Sequence, residues 1–157
     1  MNSGARFSEC KKYRYALWRM WDDSKPILGF CMLNPSTADE TINDPTIERC
    51  QRRAKKMGYG GLIVMNIFAY RSTDPHALQV VDDPIGWEND KYILESARLC
   101  KMVICGWGKH GSWRGRGQKV LDLLKFWGVK TRALKLNNDG SPAHPLYIGY
   151  NIKPKVF

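Results

Sequence analysis

An α/β/α sandwich built around a central, mainly parallel sheet of four strands is the fold class this sequence predicts. Three observations predict it. Four short apolar runs alternate with longer stretches of helical spacing, the rhythm of strand-helix-strand units. The runs are continuously apolar, as strands covered on both faces are. The chain has 157 residues with 43% hydrophobic content, which suits one core and a single domain over residues 1–157.

The strands are read at Ile27 to Leu33, Leu62 to Ile67, Met102 to Cys105 and Thr131 to Leu136. Helical spacing marks Pro45 to Met57, Trp87 to Leu99 and Gly117 to Trp127; in the last, Val120, Leu121, Leu124 and Trp127 recur at three- and four-residue intervals. Asp44 followed by Pro45 reads as a helix cap before a proline at the first helical position. Lys56-Met57-Gly58 reads as the end of the same helix. Tyr13 to Trp21 mixes aromatic and charged residues and suits an additional antiparallel strand pair at one edge.

Composition narrows the function. Lys and Arg number 25 against 15 Asp and Glu, a net charge of +10, which is the electrostatic footprint of a protein that meets polyanions. Nucleic acid is the expected partner, with DNA ahead of RNA or a free nucleotide. The excess falls in two stretches, Arg49, Arg52, Arg53, Lys55, Lys56 and Lys109, Arg114, Arg116, Lys119, each following a strand and each read as phosphate-contacting. No apolar run approaches the ~20 residues that cross a bilayer, and the polar start from Met1 to Lys12 lacks a signal-peptide core, so a cytoplasmic protein without membrane contact is expected. The five cysteines form no CxxC pair and no zinc spacing; they read as buried free thiols, with no metal and no cofactor expected. The glycine patterns match neither a dinucleotide fingerprint nor a P-loop, and no GxSxG elbow is present.

In an open α/β sheet, ligands bind beyond the carboxyl ends of the strands, so residues just after each run carry the functional expectation. They are Leu33-Asn34-Pro35-Ser36-Thr37-Ala38-Asp39, Asn66-Ile67-Phe68-Ala69-Tyr70-Arg71, Gly106-Trp107-Gly108-Lys109-His110-Gly111 and the stretch from Asn137 to Tyr147 that contains His144. Taken singly, the asparagine-proline segment reads as a turn and each histidine as a packed side chain. Trp107 and Trp113 suit either stacking on a base or packing.

Two resemblances attach to these residues. Phe7-Ser8-x-Cys10, Tyr13-Arg14-Tyr15, the 33–39 segment, Asp44-Pro45-Thr46, Gly58-Tyr59-Gly60-Gly61, the 66–71 segment and His144-Pro145-Leu146-Tyr147 resemble a bacterial and phage domain of unknown function, over nearly the whole chain. The order of motifs more distantly resembles the uracil-DNA glycosylase superfamily, an α/β/α fold around four parallel strands. Met32-Leu33-Asn34-Pro35-Ser36 is similar to that superfamily's first loop; Asn66, Arg71 and Pro75 are similar to the second stretch of its iron-sulfur branch, and His144-Pro145 to the late loop. The cluster cysteines of that branch are absent, and Leu146-Tyr147 replaces the small residues usual in the loop that penetrates DNA.

The second resemblance implies a glycosylase-like hydrolase acting on a flipped pyrimidine, modified or unmodified. Hydrolysis of an N-glycosidic bond needs a positioned water on the sugar side and hydrogen-bond donors on the departing base. Asn34 and His144 are the expected catalytic residues, for water and leaving base respectively. Asn66 is expected to read the base edge, with Phe68 and Tyr70 as its aromatic companions. Ser36, Arg71, Lys109, His110 and Arg114 are expected on phosphates. The alternatives are a non-catalytic module of the same fold and an N-glycosidase acting on free nucleotides.

Overall fold

A computed structural model describes residues 2–157. Its sheet has seven strands: β1 (Asn2–Phe7), β2 (Arg14–Met20), β3 (Ile27–Met32), β4 (Gly61–Asn66), β5 (Met102–Gly106), β6 (Thr131–Ala133) and β7 (Lys155–Val156). The spatial order is β1-β2-β4-β3-β5-β6-β7. Strands β4, β3, β5 and β6 run parallel; β2 on one side and β7 on the other run against them, and β1 pairs antiparallel with β2. The expected four-stranded sheet is thus corrected to a seven-stranded mixed one. The Tyr13 to Trp21 stretch supplies one strand of the expected edge pair, and its partner is β1, whose polar Asn-Ser-Gly-Ala-Arg-Phe carries no apolar signal.

Helices α1 (Pro45–Lys56), α2 (Asn89–Arg98) and α3 (Arg116–Phe126) cover both faces. Alternation within each strand divides the core. Leu28, Phe30, Met32, Leu62, Val64 and Ile104 point to one face and pack with Ile47, Cys50 and Ala54 of α1. Cys31, Ile63, Met65, Val103 and Cys105 point to the other, against Ile93 and Ala97 of α2 and Val120, Leu121 and Leu124 of α3. Asp44 caps α1 by accepting the Ile47 N–H at 2.9 Å, with Pro45 at the first helical position. All five cysteines are free; Cys31, Cys50 and Cys105 are buried, and burial pushes the Cys31 thiol up to about 12. Cys10 is exposed, against the expectation of a buried thiol. No helix among the described residues is long and apolar enough to cross a membrane.

Buried arginines set the loops that surround the parallel strands. Arg19 is 2% exposed and donates to the carbonyls of Asp39, Glu40 and Ile42 and to Asn43 Oδ1, which gathers the turn before α1. Arg53 donates to the carbonyls of Ile148, Gly149 and Ile152; Arg49 donates to Ile148 and lies 4.1 Å over the Tyr150 ring. Arg52 pairs with Glu48. Within the first basic stretch, Arg49 and Arg53 are thus committed to a clasp on the carboxy-terminal segment, while Arg52, Lys55 and Lys56 stay exposed. The reason is that carbonyls without a strand partner need donors.

Candidate functional site

The strand order creates one crevice by topology. The chain leaves β3 through α1 for β4 on one side, and leaves β5 through α3 for β6 on the other, so the loops after β3 and β5 diverge. A cavity of about 880 Å³ opens between them. Leu33 at the end of β3 and Trp107 to His110 after β5 form two sides. Lys135 and Asn137 to Asp139, after β6, form a third; His144 and Tyr147 complete the rim.

Close approaches hold these walls. A Cβ at Gly106 would meet the Pro145 ring at 2.7 Å, so glycine there lets the His144 loop lie directly on the end of β5. Gly108 N–H donates to the Pro142 carbonyl at 2.8 Å and Ala143 N–H to that of Lys135 at 2.8 Å, tying the three loops together. The Trp107 indole sits in a slot where a Cβ at Gly111 or Gly117 would fall within 2.6 Å of it. It is 6% exposed and packs as a wall. Trp113 lies 4.4 Å from the His110 ring, which in turn lies 5.6 Å from His76.

His144 is the best-defined polar group. Its Nδ1 accepts the Leu146 N–H at 3.1 Å, capping the short 3-10 turn Pro145–Tyr147. Burial lowers its pKa, with the Asp44 carboxylate opposing that shift. The imidazole is therefore neutral at pH 7, and because Nδ1 accepts, the proton sits on Nε2. Among the described residues Nε2 has no hydrogen-bond partner, so its N–H is an uncommitted donor on a residue that lines the cavity. His110 is held below the ordinary histidine range by burial and by Lys109 and His76. A histidine lowered in the folded state favours the native protein above the unfolded value of about 6.5, and this stabilisation is lost as pH falls toward the folded value. His144→Gln should therefore lose less thermal stability than the wild type between pH 7 and pH 5; an identical loss in calorimetry would refute the assignment.

The other expected site residues divide. Lys109 and His110 line the cavity with His144. Arg114 is exposed beyond it, at a φ of 56°. Ser36, Tyr70 and Arg71 line a different pocket. Asn34 lines neither pocket: its Nδ2 donates to the carbonyls of Pro35, Tyr70 and Ser72, the last at 3.0 Å, and ties two loops together. Its amide nitrogen thus serves as a loop tie, and the residue stands outside the cavity that holds His144. Asn66 is 2% exposed, its Oδ1 accepting from Arg14, and Phe68 is 1% exposed in the core. Both are enclosed in this structure and neither lines the cavity that holds His144.

Sequence reasoning missed Lys135, Tyr147, Lys11 and Lys12. Tyr147, 84% exposed on the cavity rim, had a signal: a large aromatic directly after His144-Pro145. The lysines carried none beyond charge.

Fold and crevice together define an open-sheet α/β protein with a cavity at its switch point. The chain belongs to the family described as protein of unknown function (DUF1643), whose profile matches residues 14–146. No curated protein and no solved structure matches it.

Proposed function

We propose that this chain acts on nucleic acid by receiving one extruded base in the switch-point cavity, in a fold of uracil-DNA glycosylase type. The observation that carries the reading is the neutral His144, with an Nε2–H free for a base carbonyl in a chain of net charge +10. The four parallel strands with helices on both faces support the fold resemblance. Lys109 and Lys135 on the rim are without ion-pair partners, since the ion pairs of the described residues are Lys25–Asp22, Arg52–Glu48, His76–Asp74 and Arg116–Asp90. They and Arg114 meet phosphates; the exposed Tyr147 stacks on a neighbouring base.

The reaction class is hydrolysis of the N-glycosidic bond. Water oxygen bonds to the sugar C1′ as the C1′–N bond breaks, the base leaves with that electron pair, and the water's proton ends on the base nitrogen. Negative charge growing on the base carbonyl strengthens its hydrogen bond from His144. A second reading, binding without turnover, is favoured by Asn34, whose amide nitrogen is committed to its loop.

Incubation with oligonucleotides carrying uracil, mismatched thymine or modified pyrimidines tests both. Abasic sites that disappear with His144→Ala support hydrolysis; saturable binding without abasic sites supports the module; the absence of both abasic sites and binding overturns the proposal. Arg114→Gln should weaken binding equally for all sequences and lower the slope of log Kd against log salt by about 0.7–0.9. An unchanged slope in a fluorescence-anisotropy titration would remove Arg114 from the interface.

A further inference from the structure

A second pocket, of about 450 Å³, lies further along the loop that leaves β3: Leu33 lines the first cavity, Ser36 and Thr37 the second. The turn between β1 and β2 contributes Lys11 and Lys12, and the loop after β4 contributes Arg71. None of these three cations belongs to an ion pair among the described residues. They are nevertheless held together. Arg71 donates through its guanidinium to the Lys11 carbonyl at 3.2 Å and through its N–H to that of Lys12 at 2.9 Å. Lys11 Nζ and Arg71 Cζ lie 5.1 and 4.7 Å from the centroid of the same Phe7 ring.

Charge behind the pocket adds to this. Arg14 is buried with its Nε unpartnered; burial lowers its pKa, the Asp44 carboxylate opposes that shift, and the Arg71 charge adds to it. Asp39, the nearby carboxylate whose pKa its turn's N–H groups lower first and the Arg19 and Arg71 charges further, accepts the Thr41 and Ile42 N–H groups. Lys11 and Arg71, gathered on one ring, repel each other in the free protein, and an anion relieves that repulsion. Ser36, Thr37 and Thr73 line the same pocket, and a hydroxyl can donate to an oxyanion.

We infer that this pocket binds a phosphate group, that of a nucleotide neighbouring the one held in the first cavity. The inference rests on the nucleic-acid reading of that cavity. Lysine point charges with hydroxyl donors suit a tetrahedral oxyanion, and the two pockets then grip one strand on either side of the 33–37 loop.

The test uses the whole chain in two measurements. Inorganic phosphate, titrated by NMR, should move the Lys12, Ser36 and Arg71 amide resonances saturably, and the paired substitutions Lys11→Gln and Lys12→Gln should remove the response. With a single-stranded oligonucleotide, those substitutions should lower the salt slope by about 0.7 for each phosphate no longer neutralised. Both lysines are exposed, so the variant folds. An oligonucleotide that binds with an unchanged slope overturns the pocket and leaves the cavity reading standing. A phosphate response with no oligonucleotide binding overturns the shared-strand inference together with the nucleic-acid reading, and marks a free-phosphate site. Oligoglutamate binding as tightly as the oligonucleotide overturns the choice of phosphate.

Discussion

His144→Ala is expected to lower the rate of base release by about 10²–10³-fold, the usual effect of deleting one donor to a developing oxyanion. Folding should change little, because the imidazole is half-buried and its one hydrogen bond to the chain caps a single short turn through Nδ1. The two effects are separable: circular dichroism and thermal melting report the fold, and single-turnover kinetics report the donor. His144→Asn keeps an amide donor on a shorter side chain and should recover a fraction of the rate. If His144→Ala melts far below the wild type, the residue is a loop support and its chemical role falls.

Arg19→Ala is expected to have the largest effect on stability. The guanidinium reaches three carbonyls and one amide oxygen of the 39–43 turn, and also the carbonyls of Gly4 and Trp18. Removing it strands several of these acceptors at once, a loss of about 3–5 kcal/mol by analogy with other broken buried charge networks. For a chain of this size that corresponds to a melting point lower by roughly 10 °C. Arg19→Lys should not restore it, because an ammonium lacks the planar fork that serves acceptors on two sides. A melting point within about 2 °C of the wild type would show that water satisfies the turn instead.

The parallel strands and the three helices were legible because burial on both faces leaves an uninterrupted apolar run, and Asp44-Pro45 marks a helix start wherever it leads. β1 and β7 were not: Asn2–Phe7 is half-exposed and polar, and Lys155–Val156 is exposed, so neither carries an apolar pattern. Nor were the buried arginines. Arg53 is fixed by carbonyls some 95 positions away in the chain, a relation no local pattern encodes. The same limit explains the site. Lys109, His110 and His144 were found by the strand-end rule and do share a cavity. Asn34 and Asn66 satisfy the same rule, yet strand ends also leave backbone and side-chain groups that need partners, and these two amides meet that need.

The central claim, a neutral His144 whose Nε2–H takes the carbonyl of an extruded base, is tested most directly by nitrogen-15 NMR of the histidine rings with and without oligonucleotide. At pH 7 the His144 ring should show the Nε2–H tautomer, and its Nε2 resonance should move on saturation with a strand carrying an unpaired pyrimidine, while a fully paired duplex leaves it in place. A ring protonated on Nδ1, or an Nε2 signal unmoved while other resonances report binding, would contradict the account.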